Sequence, residues 1–563
     1  MSRSVDDAVN AARALGSLLR TRLEHTAGKL GQDRLLVILL VTLVLVRAIY
    51  ILTYPFYIEG DGYTYYELIL AFRSNLLHAT GYVFFAQIPR LLAGLLGKEL
   101  AGLLVYVQQG VSIASVAALY LALRRIVARW NSFIICLPLG VDTQLVAASG
   151  TTRPEFLQSD ILMLLVSSAI FGLTSANTRT KGLFYVVTGC LIAAGYVTKY
   201  NFLPALIFGL VPLFDRRLEW QKSFRMLVYS IGGALLLLAV FLAGFHYPTT
   251  GTFQLNLEHG WIHMLKLQEA SIPILPANGI ATQKYTFLSD HLPTVIPGPG
   301  LWNKIDEIPD TVRAPYRQNW APLLASRDGA FVRTLVSEST SPEQRRTSYY
   351  DPVAFYTLYY HLGLHEGEGL LRAVFWESVR AYPRRYLSNI WQCLLQGTDF
   401  SASYLPYLPV PKVFAPPLFF EHPTAPILPV RVRVFKSVDL SLMRPEDLAA
   451  QIWLPGARFF SYLATMKYFP SGVFWLIVIA GFAVLSFSVV RHRRLQSMEV
   501  LFILTTIVLL GEIGLSAVVF VFRMKELILC EPLIYLATGL AIALITERVA
   551  PNAAGFRQSH RLS

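Results

Sequence analysis

Ten apolar stretches in this chain approach the length at which a helix crosses a lipid bilayer. They lie near residues 35–54, 101–123, 131–149, 157–176, 182–198, 201–214, 226–245, 471–490, 498–520 and 527–546. A spanning helix needs roughly 20 apolar residues and satisfies its own backbone hydrogen bonds, as the bilayer interior requires. The composition agrees, because 54% of the residues are hydrophobic and only 15% are charged. We predict a mainly α, polytopic helical membrane protein of about ten spans, a count that short stretches such as 201–214 leave open by one or two.

Arginine and lysine residues recur in short clusters between these stretches. The clusters lie within 13–34, 124–129, 179–181, 216–225, 491–494 and 548–561. Because basic residues favour the cytoplasmic side of a membrane, all six clusters share that side if there are ten spans and both termini are cytoplasmic. The net charge of +13 is then a topological signal, and we expect no nucleic-acid partner.

This topology divides the chain into five regions. Residues 1–34 form a cytoplasmic N-terminal segment, 35–245 an N-terminal membrane module with the candidate catalytic outer loops, 246–470 an extracytoplasmic domain, 471–547 the C-terminal membrane helices and 548–563 a cytoplasmic tail. The cytoplasmic loops are short and hold no Gly-rich phosphate loop. This argues against a cytoplasmic ATP-driven engine.

Two outer regions differ in their sequence patterns. In the first outer loop, Tyr63–Phe72 and Tyr82–Leu96 have amphipathic helical spacing but are too interrupted to span, so we expect helices lying along the membrane interface. Residues 246–470 are rich in Pro, Tyr and charge, which predicts a folded domain of mixed structure. There, Glu366–Gln396 has helical periodicity interrupted at Pro383. Loops and extended backbone are expected in the proline-rich Ala270–Pro299 and Tyr404–Pro429.

Carboxylates stand at the outer surface in two loops. Glu59 and Asp61 follow the first span directly, where a carboxylate is a candidate general base. Either one could instead cap the following helix, since Asp is a favoured N-cap residue. Glu155 opens the fourth span in the sequence Arg153-Pro-Glu. Its routine interpretation is a helix start, in which an acid favours the N-terminus and the Arg side chain snorkels.

Four basic residues occupy short outward turns, where the positive-inside rule predicts few. They are Arg153, Lys199, Arg523 and Lys525. Snorkelling remains open for each of them. Together they fit a shared anionic ligand better, and a phosphate held by Lys and Arg is the obvious ligand type.

Charges within the apolar stretches are rare and costly, at roughly 2.5–3.5 kcal/mol each at a helix centre on insertion scales. The main ones are Arg47, Asp142, Asp160 and Glu512. They border the same outer cavity or pair with one another, and pairing is the favoured interpretation for Arg47 and Glu512. Outer histidines spaced four apart lack the Glu-containing zinc-protease pattern, so they give only a weak metal signal.

These residues resemble the GT-C class of membrane glycosyltransferases in their order along the chain and in the side of the membrane that they are expected to share. The similarity is greatest to the bacterial branch related to protein O-mannosyltransferases and aminoarabinose transferases. That pattern begins with an Arg and a Pro, which precede an acidic motif and a Tyr. A His-Pro-Pro-type segment and another Tyr come next. An acidic residue after a Pro and a basic residue after the fifth span complete it. The matching residues here are Arg47, Pro55, Glu59, Asp61, Tyr63, His78, Tyr82, Glu155 and Lys199. The match covers roughly 35–215 and lacks the two prolines after His78, and its acids are separated by a glycine, which leaves open which one reacts.

The resemblance implies a GT-C-like fold and an inverting glycosyltransferase in the bacterial inner membrane. It would move a sugar from a polyprenyl-phosphate donor to an envelope glycan, lipid or protein on the outer side. Asp61, with Glu59 as substitute and Glu155 as orienting acid, would be catalytic. The substrate-binding residues would be Arg153, Lys199, Arg523, Lys525, Tyr63, His78 and Tyr82. No cofactor is required, although a divalent metal between Asp61 and Glu155 stays open.

A transporter or flippase for a lipid-linked sugar is the alternative function. It would be expected to place charges at the membrane midplane and to show a pseudo-repeat between its halves, and neither is evident in this sequence. A non-catalytic assembly protein built around 246–470 would need only one or two spans. The sequence therefore favours the transferase.

Overall fold

A computed structural model describes most of the chain. It covers residues 33–53, 61–75, 80–150, 152, 154–215, 217–253, 255, 259–293, 295, 352–398, 455–456, 459–460, 463, 471–492, 495–518 and 530–549. Within these ranges the regular structure is helical and contains no β-strand.

The α-helices are named here in chain order. They are α1 (Arg34–Thr53), α2 (Asp61–Ala71), α3 (Gly81–Phe85), α4 (Gln87–Leu96), α5 (Leu100–Leu123), α6 (Arg129–Val141), α7 (Thr143–Ala148), α8 (Pro154–Thr174), α9 (Thr178–Thr198), α10 (Trp220–Phe241), α11 (Tyr247–Thr250), α12 (His259–Glu269), α13 (Ile280–His291), α14 (Pro352–Leu362), α15 (Leu364–Ala381), α16 (Pro383–Gly397), α17 (Ser471–His492), α18 (Ser497–Val518) and α19 (Cys530–Val549). A long 3-10 helix, Tyr200–Phe214, follows α9, and a π-helical turn, Leu242–His246, joins α10 to α11.

Eight helices of the described chain are long and apolar enough to cross a membrane. Their bounds are Arg34–Thr53, Leu100–Leu123, Pro154–Thr174, Thr178–Thr198, Trp220–Thr250, Gly472–Val490, Ser497–Val518 and Cys530–Arg548. These helices indicate a multi-pass helical membrane protein, as the apolar pattern predicts. Stretches 131–149 and 201–214 do not meet this length criterion, because the first is a broken helix and the second a 3-10 helix.

Ion pairs and cation contacts identify one end of the bundle. The carboxylate of Asp33, just before α1, pairs with Arg124 after α5, and Glu499 at the start of α18 pairs with Arg548 of α19 at 3.1 Å. The guanidinium of Arg125 lies 4.6 Å from the ring centroid of Phe171, near the end of α8. Residues from several of the basic clusters therefore share this end, which we call the basic end.

The broken helix α6–α7 runs from the basic end to the other end of the bundle. It leaves the basic end where Glu547 accepts hydrogen bonds from Ala128 N at 2.9 Å and Asn131 Nδ2 at 3.0 Å. It reaches the opposite end at Ala147, whose carbonyl accepts a hydrogen bond from the Tyr50 hydroxyl near the end of α1. The segment thus has the reach of a span without being one continuous helix.

Buried charges stabilise the break between α6 and α7. Asp142 Oδ1 caps α7 by accepting from Gln144 N at 2.9 Å and Leu145 N at 3.1 Å, which satisfies backbone donors at the helix start. Arg47 Nη1 donates to the carbonyl of Gly140 at 2.7 Å, near the end of α6. Arg47 and Asp142 therefore carry a structural role at the break, and Arg47 also lies within electrostatic range of Asp142 and Asp160.

The long 3-10 helix also runs the full length of its neighbour. It begins after Lys199 at the end of α9 and finishes at Asp215, whose carboxylate pairs with Lys181 at the start of α9. Pro204 and Pro212 lie inside it and remove donors that an α-helix would need. With a rise of about 2.0 Å per residue, this 15-residue segment reaches about 30 Å, the thickness of the bilayer core.

The first outer loop contains helices close to the predicted positions. Helix α2 matches the stretch Tyr63–Phe72, and α3 and α4 together match Tyr82–Leu96. On α4, Leu91 and Leu95 are 66% and 82% exposed, whereas Gln87 is buried. An apolar exposed face is what a helix at a membrane interface presents to lipid.

The described part of the 246–470 domain is helical rather than mixed. Helices α12 to α16 enclose a second apolar core that includes Met264, Tyr285, Phe355 and Phe375. Helix α13 lies inside Ala270–Pro299, where loops and extended backbone were expected, so that prediction was wrong for these residues. The predicted interruption at Pro383 is confirmed, because α15 ends at Ala381 and α16 begins at Pro383. Residues 404–429 lie outside the described residues.

Candidate functional site

A buried ion pair joins the start of α8 to the end of α9, at the end of the bundle opposite the basic end. Lys199 Nζ lies 3.0 Å from Glu155 Oε1, and their side chains are only 19% and 5% exposed. Pro154 and Glu155 occupy the first turn of α8, where a rigid proline and a negative charge are both favourable. Helix α9 ends at Thr198, where Lys199 takes extended backbone angles. Two of the residues singled out from sequence thus meet in space.

Polar side chains fix the turn that carries Lys199. Gln158 Nε2, one turn into α8, donates to the Lys199 carbonyl at 3.0 Å and to Asn201 Oδ1 at 2.9 Å. Gln158 and Asn201 are both buried. Buried amides of this kind hold a backbone turn in one position, because breaking them leaves unsatisfied polar groups. Neither residue was identified from sequence, where each reads as an ordinary polar residue near a helix end.

Tyr82 of the first outer loop is the third member of the site. Its ring packs edge-to-face on Phe156, next to Glu155, with centroids 5.7 Å apart. Its hydroxyl is buried and has no hydrogen-bond partner within the described ranges. Burial, with a smaller contribution from Glu155, raises the pKa of this hydroxyl. Tyr82 therefore keeps its proton and can donate a hydrogen bond to a ligand.

Glycine brings the Tyr82 helix against α9. A Cβ atom at Gly81 would lie 2.5 Å from the carbonyl carbon of Val197 and 2.6 Å from the nitrogen of Thr198. Only a residue without a side chain permits this approach. Gly81 thereby sets the distance between the first outer loop and the turn at Lys199.

Glu512 reaches the same region from α18. It is 2% exposed and lies within electrostatic range of Lys199. Its Oε2 atom has no hydrogen-bond partner among the residues that the structure describes. From the sequence, Glu512 is an in-span charge that borders the outer cavity or pairs with another in-span charge, and Lys199 is not among those expected partners. Its proximity to Lys199 depends on the packing of α18 against the long 3-10 helix, where Gly511 faces Pro204.

The structure describes the remaining predicted site residues only in part. Asp61 begins α2, one helical turn before Tyr65, whose ring packs edge-to-face on Tyr82 with centroids 5.8 Å apart. The backbone of Asp61 is thus within about 6 Å along the helix of a residue touching the site. The side chains of Asp61 and Tyr63 lie outside the description. Outside the described residues altogether are Glu59, His78, Arg153, Arg523 and Lys525.

Arg47 and Asp160, two charged residues within spanning helices, form a hydrogen-bond network that is separate from the Glu155–Lys199 pair. Asp160 Oδ1 accepts from Ser115 Oγ at 2.8 Å, and Arg47 Nη2 donates to Ser112 Oγ at 2.8 Å. These contacts connect α1, α5 and α8 at a level that is closer to the basic end than the Glu155–Lys199 pair is. They are hydrogen bonds between helices of the kind that stabilise membrane bundles.

The assembled groups suit the binding of an anion beside a polar reactant. An ammonium has three N–H donors, so Lys199 can hold Glu155 and a phosphate oxygen together. No group of three or more His, Cys, Asp or Glu residues with metal-binding geometry occurs in the described ranges. A metal between Asp61 and Glu155 stays a prediction, since the Asp61 side chain is not described.

Comparisons with protein-family models, curated proteins and solved structures found no match to this chain.

Proposed function

We propose that this protein is a GT-C-like glycosyltransferase that moves a sugar from a polyprenyl-phosphate donor to an acceptor on the outer side of a bacterial inner membrane. The observation that carries the proposal is the buried Glu155–Lys199 pair, with Tyr82 of the first outer loop beside it. It unites three of the residues that carry the resemblance to that class. These residues come from separate short motifs, and their contact in space is what residues of one active site would show.

The site faces outward if the protein has ten spans. The eight long helices are then joined by α6–α7 and by the long 3-10 helix, each of which runs the length of the bundle. With the basic end in the cytoplasm, as the positive-inside rule favours, the Glu155–Lys199 pair lies at the outer surface. A polyprenyl carrier would present its phosphate at that depth, with its chain in the lipid.

The chemistry is a displacement at the anomeric carbon. The acceptor oxygen forms a bond to this carbon while the bond to the phosphate oxygen breaks, and the electron pair leaves with the phosphate. Asp61, or Glu59, takes the acceptor proton as general base. Lys199, with Arg153, Arg523 and Lys525, neutralises the departing phosphate, which needs cations more than a proton. Glu155 orients the acceptor and Lys199, and attack opposite the leaving group inverts the sugar.

The test is transfer of radiolabel from a panel of polyprenyl-phosphate sugars in membranes that contain Asp61→Asn or the unchanged protein. We expect the unchanged protein to label an envelope fraction and the variant to lose nearly all of this activity. Glu67→Gln is the matched control, because Glu67 lies on the same helix and has no assigned role.

Two results would contradict the proposal. Full transfer by a folded Asp61→Asn variant would remove Asp61 as the base. Movement of an intact lipid-linked sugar across vesicles, without transfer to any acceptor, would favour the transporter instead.

A further inference from the structure

Helix α16 of the extracytoplasmic domain lies across the ends of two membrane helices. Near its start, the Tyr386 hydroxyl donates to the carbonyl of Val518, the last residue of α18, at 2.7 Å. Just past its end, the Thr398 carbonyl accepts from Trp475 Nε1, in the first turns of α17, at 3.2 Å. The two contacts are separated by about 18 Å of helix at 1.5 Å per residue. Both fall at the end of the bundle that holds the Glu155–Lys199 pair.

The surface of α16 is divided into three faces. Tyr386, Asn389 and Cys393 are buried, and Lys266 of the domain core donates to Cys393 Sγ at 3.5 Å. A second face consists of Leu387, Trp391 and Leu395, which are 63%, 62% and 52% exposed. These three residues recur every fourth position, so they form one continuous stripe. The third face is polar and exposed, with Ser388 and Gln392.

The apolar stripe lies at the level where the spans leave the lipid. Val518, at the Tyr386 contact, is 43% exposed, and Val473 and Leu476 of α17, close to Trp475, are 42% and 68% exposed. Exposed apolar side chains on spanning helices face lipid, and the exposed stripe of α16 lies beside the ends of two such helices. Trp is one of the two aromatic residues enriched at this interfacial level. Arg384, exposed in the first turn of α16, is positioned to meet a headgroup phosphate.

We propose that α16 is an interfacial anchor, which inserts Leu387, Trp391 and Leu395 into the outer leaflet and so fixes the extracytoplasmic domain on the bilayer surface. The ligand is phospholipid, with acyl chains against the stripe and phosphates near Arg384. This role does not depend on the glycosyl transfer proposed above. It depends only on the contacts of α16 with the ends of α17 and α18.

The test is site-directed spin labelling in nanodiscs of phosphatidylcholine and phosphatidylglycerol, with one protein per disc. Nitroxides are attached in Trp391→Cys and Leu395→Cys, and in the controls Ser388→Cys and Gln392→Cys from the polar face of the same helix. Oxygen concentrates in lipid and a nickel chelate in water. The signal of the protein without an added cysteine is subtracted, because Cys393 and three other cysteines are native.

We expect the ratio of oxygen to nickel accessibility to be several-fold higher at positions 391 and 395 than at 388 and 392. A ratio that favours nickel at all four positions would place the stripe in water and overturn the proposal. Exclusion of both reagents from 391 and 395 would also overturn it, since protein would then cover the stripe. Folding is checked in each variant by thermal unfolding, and Leu387→Cys replaces any variant that fails.

Discussion

Lys199 interacts with two carboxylates, and these interactions determine what its replacement does. It pairs with Glu155 and is within electrostatic range of Glu512. Removing one member of a buried pair leaves an uncompensated charge and destabilises a protein by about 3–5 kcal/mol. A loss of activity in a single variant would therefore have two possible causes, one chemical and one structural.

A double variant separates these causes. We expect Lys199→Met to lose both transfer activity and thermal stability, and Glu155→Gln combined with Lys199→Met to regain part of the stability but none of the activity. The reason is that the double variant buries no unpaired charge at this pair yet still lacks the cation for phosphate. Unfolding in detergent and the transfer assay measure the two properties. Recovery of activity with stability would mean that the pair is only structural.

Gly81 makes a second prediction at the scale of single residues. Gly81→Ala places a methyl group 2.5 Å from backbone atoms of α9 and should destabilise the protein by about 1–3 kcal/mol, because backbone cannot yield as a flexible side chain does. It should also reduce transfer by shifting Tyr82 away from Glu155. Gly94→Ala is the control, since no atom lies within 4 Å of a Cβ there. Equal behaviour of the two variants in both assays would refute the role of Gly81.

At the scale of elements, the break between α6 and α7 depends on one side chain that caps a helix. Asp142→Ala removes the acceptor for Gln144 N and Leu145 N and should destabilise the protein by about 1–2 kcal/mol. Asp142→Asn should be close to neutral, because asparagine also caps helices well. The unfolding temperatures of the two variants in one detergent test this. Tyr535→Phe, which removes the hydroxyl that donates to Asp142 Oδ2, shows how much of the effect comes from that contact.

The same elements show how much of the structure could be predicted from the sequence. Apolar length and the proline at 383 predicted most spans and the boundary between α15 and α16, because both signals are local. Helix α13 was missed since prolines surround it, yet Ile280–His291 is itself free of proline. Its N-terminal donors Ala281 N and Thr282 N bond to Glu377, which is far away in the chain. A cap of that kind leaves no local signal.

The candidate site was predictable to a similar degree. Tyr82, Glu155 and Lys199 were identified by their types, their order and their shared side of the membrane. Gln158 and Asn201 were not, and Glu512 was identified only as an in-span charge without its partner Lys199, because these contributions come from helices meeting in space. Polar residues near helix ends are common, and only the packing of α8, α9 and α18 distinguishes these three.

At the scale of the whole molecule, the side on which the site lies depends on which way the basic end faces. Helices α8 and α9 are joined near the basic end and carry the Glu155–Lys199 pair at their opposite ends. If the basic end faces the cytoplasm, the pair faces outward, and if the bundle is inverted, the pair faces the cytoplasm. The exposed turn between these helices at Ala176 therefore has opposite locations in the two orientations.

Cysteine labelling at this turn decides between the two orientations. With the basic end in the cytoplasm, Ala176→Cys should resist a membrane-impermeant maleimide added to intact cells and react once the membrane is opened. Lys98→Cys, in the exposed segment before α5 and at the opposite end of the bundle, should then react from outside and serves as the control. The four native cysteines set the background, which is measured in the unchanged protein. Labelling of Ala176→Cys from outside would reverse α8 and α9 and move the site to the cytoplasmic surface, where an outward-facing transferase could not operate.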